Sequence, residues 1–349
     1  MKIAYFVSSL KKCGPNVVIF GLIKQLKNKY DVEILYLDEE KDNFLAGSGA
    51  NVTKVENIKH LRCLFSRFDV VHSNGIRPDL FSIIAKITYR KDFKLVTTIH
   101  NYVYQDLYYS YGLMHSIFYG TLWSFIWLFF SKVVVLSQQA SKYYWFIPKN
   151  KKSIIANGIE CKKYQAVKVI NYRNKYNIPS SAILIGTCAN FTKRKGIDII
   201  INELTKRDDI YFIAAGNGIE KGNLVKQVYD CGLQSRVIFM DFLKDPQDFM
   251  SQLDIFVMPS RNEGFGLTVL EATNVGVPVI TSDLPIFKEL FENMAVSFQL
   301  NDTSTFSQAV DYLIKNKSTL SKQFRNNMTE KYAVEIMALK YEQVYLDVI

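Results

Sequence analysis

The sequence predicts an α/β protein built from two doubly wound, parallel-sheet domains. Three observations lead there. The 349 residues suit two domains of about 150 residues each. Short runs rich in Val and Ile alternate with helix-length amphipathic segments, the pattern of βαβ units. That alternation occurs twice, on either side of a polar stretch.

In the first series the strand-like runs are Ile3–Val7, Val32–Leu37, Asp69–His72, Leu95–Ile99 and Val133–Leu136, and the amphipathic segment Val17–Lys29 reads as a helix between the first two. The Lys- and Asn-rich stretch Cys161–Pro179 has little apolar periodicity. It places a linker at residues 162–175 and domains at 1–165 and 166–330. The second series comprises Ile183–Thr187, Ile210–Ala214, Val237–Met240, Ile255–Met258 and Val277–Ile280. Ser321–Ile349 reads as one or two helices, with apolar residues at Met328, Tyr332, Ile336, Leu339 and Val344.

Composition narrows the partners. With 48% hydrophobic and 22% charged residues the chain is neither disordered nor a polytopic membrane protein. The net charge of +10 is unevenly spread: residues 1–165 hold 23 basic and 12 acidic side chains, residues 166–349 hold 20 and 21. Trp123, Trp127 and Trp145 all lie in the basic half, within the aromatic-rich stretch Tyr102–Phe146. Such a half suits nucleic acid, an anionic membrane surface, an acidic substrate, or simply a solvated basic face around a core.

The five cysteines, Cys13, Cys63, Cys161, Cys188 and Cys231, are odd in number and scattered, which argues for a reducing compartment. The chain opens on a strand-like segment with no signal-type cleavage site, so a cytoplasmic location is expected. Leu113–Phe130 is free of charge apart from His115 and has three readings: a packed core helix, a helix lying in a membrane interface, or a span.

In open parallel sheets ligands bind beyond the carboxyl ends of the strands. After the run Ile255–Met258 comes Glu263-Gly264-Phe265-Gly266-Leu267-Thr268, opening a helix that carries Glu271. The glycines admit a close ligand, and amides at a helix start accept phosphate. Two carboxylates flanking a phosphate site suit the hydroxyls of a nucleotide sugar. No Asp-x-Asp pair occurs, which disfavours a metal-held diphosphate, and no cofactor is expected.

The segment Glu263–Glu271, followed by Gly276-Val277-Pro278-Val279-Ile280-Thr281-Ser282, resembles the signature of retaining glycosyltransferases of family 4, which have the GT-B fold. Asn157-Gly158-Ile159, Lys195-Gly196-Ile197-Asp198 and Ala215-Gly216-Asn217-Gly218 match in the family's order, as do Thr98-Ile99-His100-Asn101-Tyr102 and the turn Gly14-Pro15-Asn16. The likeness is to members that build bacterial capsular and exopolysaccharides. It implies two Rossmann-like domains facing a crevice, with a C-terminal helix at about 331–349 packing back on the first.

It also implies roles. Glu263 contacts the donor sugar, Glu271 the ribose, and the amides of Gly264, Phe265, Gly266, Leu267 and Thr268 the sugar and diphosphate. Lys195 neutralises the departing diphosphate, His100 faces the transferred sugar, and Gly14 approaches the diphosphate. Members often carry an arginine five residues before the lysine; Asn190 stands there, and Arg194 offers the second cation.

The expected activity is therefore metal-independent, retaining transfer from a nucleotide sugar to a glycan or lipid-linked acceptor at the inner face of the cell membrane. A UDP donor is what family frequency implies, and nucleic acid recedes as a partner. Competing readings are a nucleotide-sugar epimerase of the same fold and an inactive glycan-binding relative. A nicotinamide dehydrogenase is disfavoured because Ser8–Gly14 lacks G-x-G-x-x-G. His72, also at a strand end, reads as structural.

Overall fold

The computed structural model describes residues 1–88, 93–161, 170–243, 245–302 and 304–349. The boundary expected at 165/166 and most of the linker expected at 162–175 lie outside them. Contacts divide the chain into two compact units, residues 1–160 with 332–349 and residues 161–331.

The first unit is a seven-stranded parallel sheet: β1 (Lys2–Ser9), β2 (Asp31–Asp38), β3 (Asn51–Lys54), β4 (Val70–Asn74), β5 (Lys94–Ile99), β6 (Lys132–Val135) and β7 (Lys152–Ile154), in the order β3-β2-β1-β4-β5-β6-β7. Six helices connect them: α1 (Gly14–Leu26), α2 (Ile58–Phe65), α3 (Ile76–Thr88), α4 (Val103–Tyr111), α5 (Leu113–Trp127) and α6 (Gln138–Tyr143). The second unit is a six-stranded parallel sheet of β8 (Ile183–Cys188), β9 (Ile210–Ala215), β10 (Val237–Met240), β11 (Ile255–Met258), β12 (Val279–Ser282) and β13 (Val296–Phe298), in the order β10-β9-β8-β11-β12-β13. Its helices are α7 (Tyr172–Lys175), α8 (Ile197–Leu204), α9 (Lys221–Asp230), α10 (Gln247–Met250), α11 (Leu267–Asn274) and α12 (Pro285–Phe291); α13 (Ser304–Tyr332) and α14 (Val334–Val348) end the chain.

All ten strands expected from apolar runs are present. The three additional strands, β3, β7 and β13, lie at sheet edges, where burial is one-sided and no continuous apolar run is required. The strand order reverses between β1 and β4 in one sheet and between β8 and β11 in the other. Those switch points are where ligands of open parallel sheets bind.

Helices α13 and α14 break at Ala333, which is extended because Ile159 pairs with it: the Ile159 amide donates to the Tyr332 carbonyl and the Val334 amide to that of Ile159, each at 2.9 Å. The buried stripe of α14 is Val334, Met337, Ala338, Tyr341, Val344 and Tyr345, while Leu339 points outward. Its tyrosines meet the sheet in a buried polar network. The Tyr345 hydroxyl lies 2.7 Å from His72 Nδ1 and 3.1 Å from the Tyr5 hydroxyl; Thr98 Oγ1 lies 2.9 Å from His72 Nε2 and 2.9 Å from the Tyr341 hydroxyl. His72 is thus a structural residue that docks α14 on the first sheet.

Helix α5 has its small polar face inward. Ser116, Gly120 and Ser124 are buried at four-residue spacing, and a Cβ on Gly120 would lie 2.7 Å from the Tyr104 ring on α4. Met114 is 83% exposed, Phe118 66% and Phe125 58%. The reading of Leu113–Phe130 as a packed core helix holds for its C-terminal end, where Ile126, Trp127 and Phe130 are buried in the core, and fails for the turns before it, where small residues permit close approach to α4 and the large apolar side chains turn out. No described helix is long and apolar enough to cross a membrane.

Behind α5 lies a buried carboxylate with no cation beside it among the described residues. Asp79 accepts from Ser73 Oγ at 2.6 Å, Thr97 Oγ1 at 3.0 Å, Trp123 Nε1 at 2.7 Å and Trp127 Nε1 at 3.0 Å. Burial raises its pKa against those four donors, which act to lower it. Two indoles at i and i+4 on α5 thereby anchor that helix to α3 and, through Asp79, to β4 and β5.

Burial, with a smaller contribution from His100, holds the His72 pKa down to about 3. The unfolded chain takes up a proton near pH 6.5 that the folded chain refuses, so stability from this residue is complete above pH 6.5 and falls as the pH drops towards 3. The slope reaches about 1.4 kcal/mol per pH unit. Denaturant unfolding of His72→Gln between pH 7 and 4 should show a shallower slope than wild type. Equal slopes would refute this account.

Candidate active site

The second unit assembles its site at the switch point. Beyond β8 the chain makes a single 3-10 turn, Lys193–Lys195, before α8; beyond β11 it runs through Ser260–Gly266 into α11. Arg261 ties these two loops together. Its Nη1 donates to the Lys193 carbonyl at 2.9 Å and to Asp198 Oδ1 at 2.7 Å, its Nη2 to Asp198 Oδ2 at 2.6 Å, and its amide to the Arg194 carbonyl at 2.7 Å. Gly196 makes the closest approach: it has φ +68°, and a Cβ there would lie 1.9 Å from the Pro259 carbonyl oxygen.

Glu263 is buried at the centre of this crossing. Lys195 Nζ pairs with its Oε1, Ser260 Oγ donates to the same oxygen at 3.0 Å, and Arg194 Nη1 lies 3.4 Å from Oε2. Burial alone would raise its pKa, but the Lys195 and Arg194 charges, with the Lys195 and Ser260 hydrogen bonds, hold it below the ordinary carboxylate range. Glu263 is therefore ionised at neutral pH. It can accept hydrogen bonds from hydroxyls but cannot donate a proton.

Gly264, Phe265 and Gly266 are buried, and Gly266 caps α11. The Phe265 ring packs edge-on against Phe291 with 5.8 Å between centroids, so this residue offers only its backbone. Leu267 and Thr268 form the first turn of α11, whose leading amides have no intrahelical acceptor and carry the positive end of the helix dipole. Glu271 follows on the second turn. It lies near the end of β8, where, after burial, its charge helps push up the Cys188 thiol.

In the first unit His100 follows β5 and is half-buried, with Nε2 3.0 Å from Asn74 Oδ1; burial lowers its pKa to about 4. A small cavity of about 130 Å³ is lined by Pro15, Asn74, His100, Asn101, Asp106 and Trp123, among others. Gly14 is corrected in one respect: it is the exposed first residue of α1, so Gly14-Pro15-Asn16 is a helix start and not a turn. Asn16, buried beside it, fixes the β1–α1 connection by donating to the Ser9 and Lys11 carbonyls at 2.9 and 2.7 Å.

The structure thus gathers Glu263, Lys195 and Arg194 in one cluster beside the start of α11, and it puts His100 and the start of α1 on one cavity. Sequence reasoning missed Arg261, Ser260 and Asn74. Ser260 and Arg261 lie between the apolar run Ile255–Met258 and Glu263, but only the fold reveals that Arg261 reaches Asp198.

Residues 168–331 match the family described as Glycosyl transferases group 1, and residues 13–163 match Glycosyltransferase Family 4. The chain is 52% identical over 345 residues to the O-antigen biosynthesis glycosyltransferase WclY of Escherichia coli, spanning 99% of this chain and 98% of that one. Among solved structures, Anabaena HepE in complex with UDP and glucose superposes with a TM-score of 0.88 at 17% identity, covering 99% of this chain and all of that one. Sucrose-phosphate synthase from Thermosynechococcus elongatus gives 0.83 at 17% identity, covering 99% and 98%. These two likenesses show the fold, which is GT-B.

Gly196→Ala should force the two loops apart and cost the second unit about 3 kcal/mol or more, from left-handed strain together with the clash on Pro259. A thermal melt shifted by less than about 2 °C would contradict the close approach described here.

Proposed function

The chain belongs to the glycosyltransferases matched by those two families, and from that premise we propose that it builds bacterial surface polysaccharide by retaining transfer from a UDP-linked sugar to a glycan or lipid-linked acceptor. The observation that carries this reading is the ionised, buried Glu263 between Lys195 and Arg194 at the start of α11. The relative at 52% identity supports O-antigen synthesis as the setting. HepE, with UDP and glucose bound, supports a uridine nucleotide.

Cleaving a sugar–diphosphate bond demands stabilisation of charge on the leaving phosphate more than it demands a strong base. Lys195 has three donors and spends one on Glu263, which leaves N–H groups for a phosphoryl oxygen. Arg194 and the first amides of α11 add positive potential at the same place. Glu263 accepts from hydroxyls of the donor sugar, Glu271 accepts from the ribose, and His100 faces the transferred sugar. With charge supplied by these groups, transfer needs no divalent metal. The acceptor attacks on the face from which the nucleotide leaves, so the anomeric configuration is kept.

Helix α5 supports peripheral attachment to an anionic membrane. Its exposed Met114, Phe118 and Phe125 form an apolar face on the unit that holds most of the basic surplus.

Glu263→Gln and Lys195→Ala should each lower turnover at least about 100-fold with circular dichroism unchanged. Wild-type turnover should persist in EDTA, and NMR of the product should show the donor's anomeric configuration. Undiminished turnover in both variants would remove these residues from the site.

The protein should float with phosphatidylglycerol-containing vesicles at low salt and release as salt rises. Met114→Ser combined with Phe118→Ser should weaken that association at least about tenfold. No flotation of wild type at low salt would end the membrane assignment.

A further inference from the structure

Asn74 closes β4 and His100 follows the adjacent β5, so sheet pairing itself brings His100 Nε2 to the Asn74 side chain, 3.0 Å from Oδ1. Asn74 is more than nine-tenths buried, and its Nδ2 is shut off from solvent without a hydrogen-bond partner. Burial keeps the imidazole neutral near pH 7. A neutral ring has a single N–H, and an oxygen acceptor beside Nε2 draws that hydrogen there. The other nitrogen, Nδ1, then presents a bare lone pair. It makes no hydrogen bond to a described residue and is not sealed from solvent, and the ring lines the cavity shared with Asn101, Asp106 and Trp123.

We propose that Asn74 is a positioning residue that holds His100 in its Nε2–H tautomer, so that Nδ1 accepts a hydrogen bond from a sugar hydroxyl and disfavours a phosphoryl oxygen. This rests on His100 facing the transferred sugar, as read above. A lone pair attracts the hydrogen of a hydroxyl and repels the lone pairs of a phosphate oxygen; the opposite tautomer would reverse that preference. The unmatched Nδ2 is consistent with a side chain retained for what its oxygen does, because an unsatisfied buried donor costs about 1–3 kcal/mol. Turning the amide over would place Nδ2 against Nε2 and move the ring hydrogen to Nδ1, so the assignment can be measured directly.

The experiment is nitrogen-15 NMR of the histidine rings in the full chain at pH 7, with the His100 signal assigned by its loss in His100→Gln. The expected result is hydrogen on Nε2; hydrogen on Nδ1, or an even mixture, overturns the proposal. Asn74→Asp retains an acceptor and adds a charge. It should keep the Nε2 hydrogen while raising the His100 pKa by at least about one unit above its value near 4. The titratable groups about the ring are then His72 on β4, Asp106 on α4 and the new carboxylate. Asn74→Leu removes the acceptor and should lower the Nε2–H population towards that of a free imidazole; a population unchanged in this variant overturns the proposal. If Asn74→Leu fails to fold, the wild-type and Asn74→Asp spectra still decide. Absence of sugar transfer by wild type alongside an Nε2–H signal would count against the transferase reading and leave the tautomer assignment standing.

Discussion

A carboxylate removed from water must find donors, and the fold is organised around two that have. Glu263 and Asp79 are both buried, one in each unit, and each is met by side chains from several separate elements. They are satisfied differently. Glu263 has two cations and stays charged; Asp79 has, among the described residues, neutral hydroxyls and indoles, and burial pushes its pKa up. An uncompensated buried charge costs several kcal/mol, so once these residues are inside, the loops and helices that carry their partners have little freedom to sit elsewhere.

The two solutions suit different ends. Around Glu263 the cations sit on short loops at a switch point, the place where the proposed donor diphosphate would meet them. Around Asp79 the donors come from β4, β5 and α5, and they fix the wall of the His100 cavity through Trp123. One carboxylate gathers two cations at a loop crossing. The other makes a rigid frame beside a polar pocket.

Much of this was legible before any coordinates. The interior strand β11 is buried along its whole length and so announces itself as an unbroken apolar run, whereas the edge strands β3 and β7 carry no such pressure and were silent. Glu263 and Lys195, which the structure brings together, could be picked out because the loops that carry them need glycine at Gly196 and Gly266. Asn74 could not, since its significance comes from pairing with the neighbouring strand, which is invisible in one dimension. Helix α5 stayed open between three readings for a physical reason: amphipathicity is normally read with the polar face outward, and here Ser116, Gly120 and Ser124 are inside because they are small.

The docking of α14 on the first sheet has a consequence for synthesis. Tyr5, His72 and Thr98 emerge from the ribosome early, yet their partners Tyr341 and Tyr345 follow only after the whole of residues 161–331 has been made. At translation rates of roughly 5–20 residues per second that delay is on the order of ten seconds or more. The contiguous second unit can complete its sheet in that interval, while the first waits with buried-type residues uncovered. The part that begins first is finished last, and the nascent chain must be protected on the face where α14 will eventually lie.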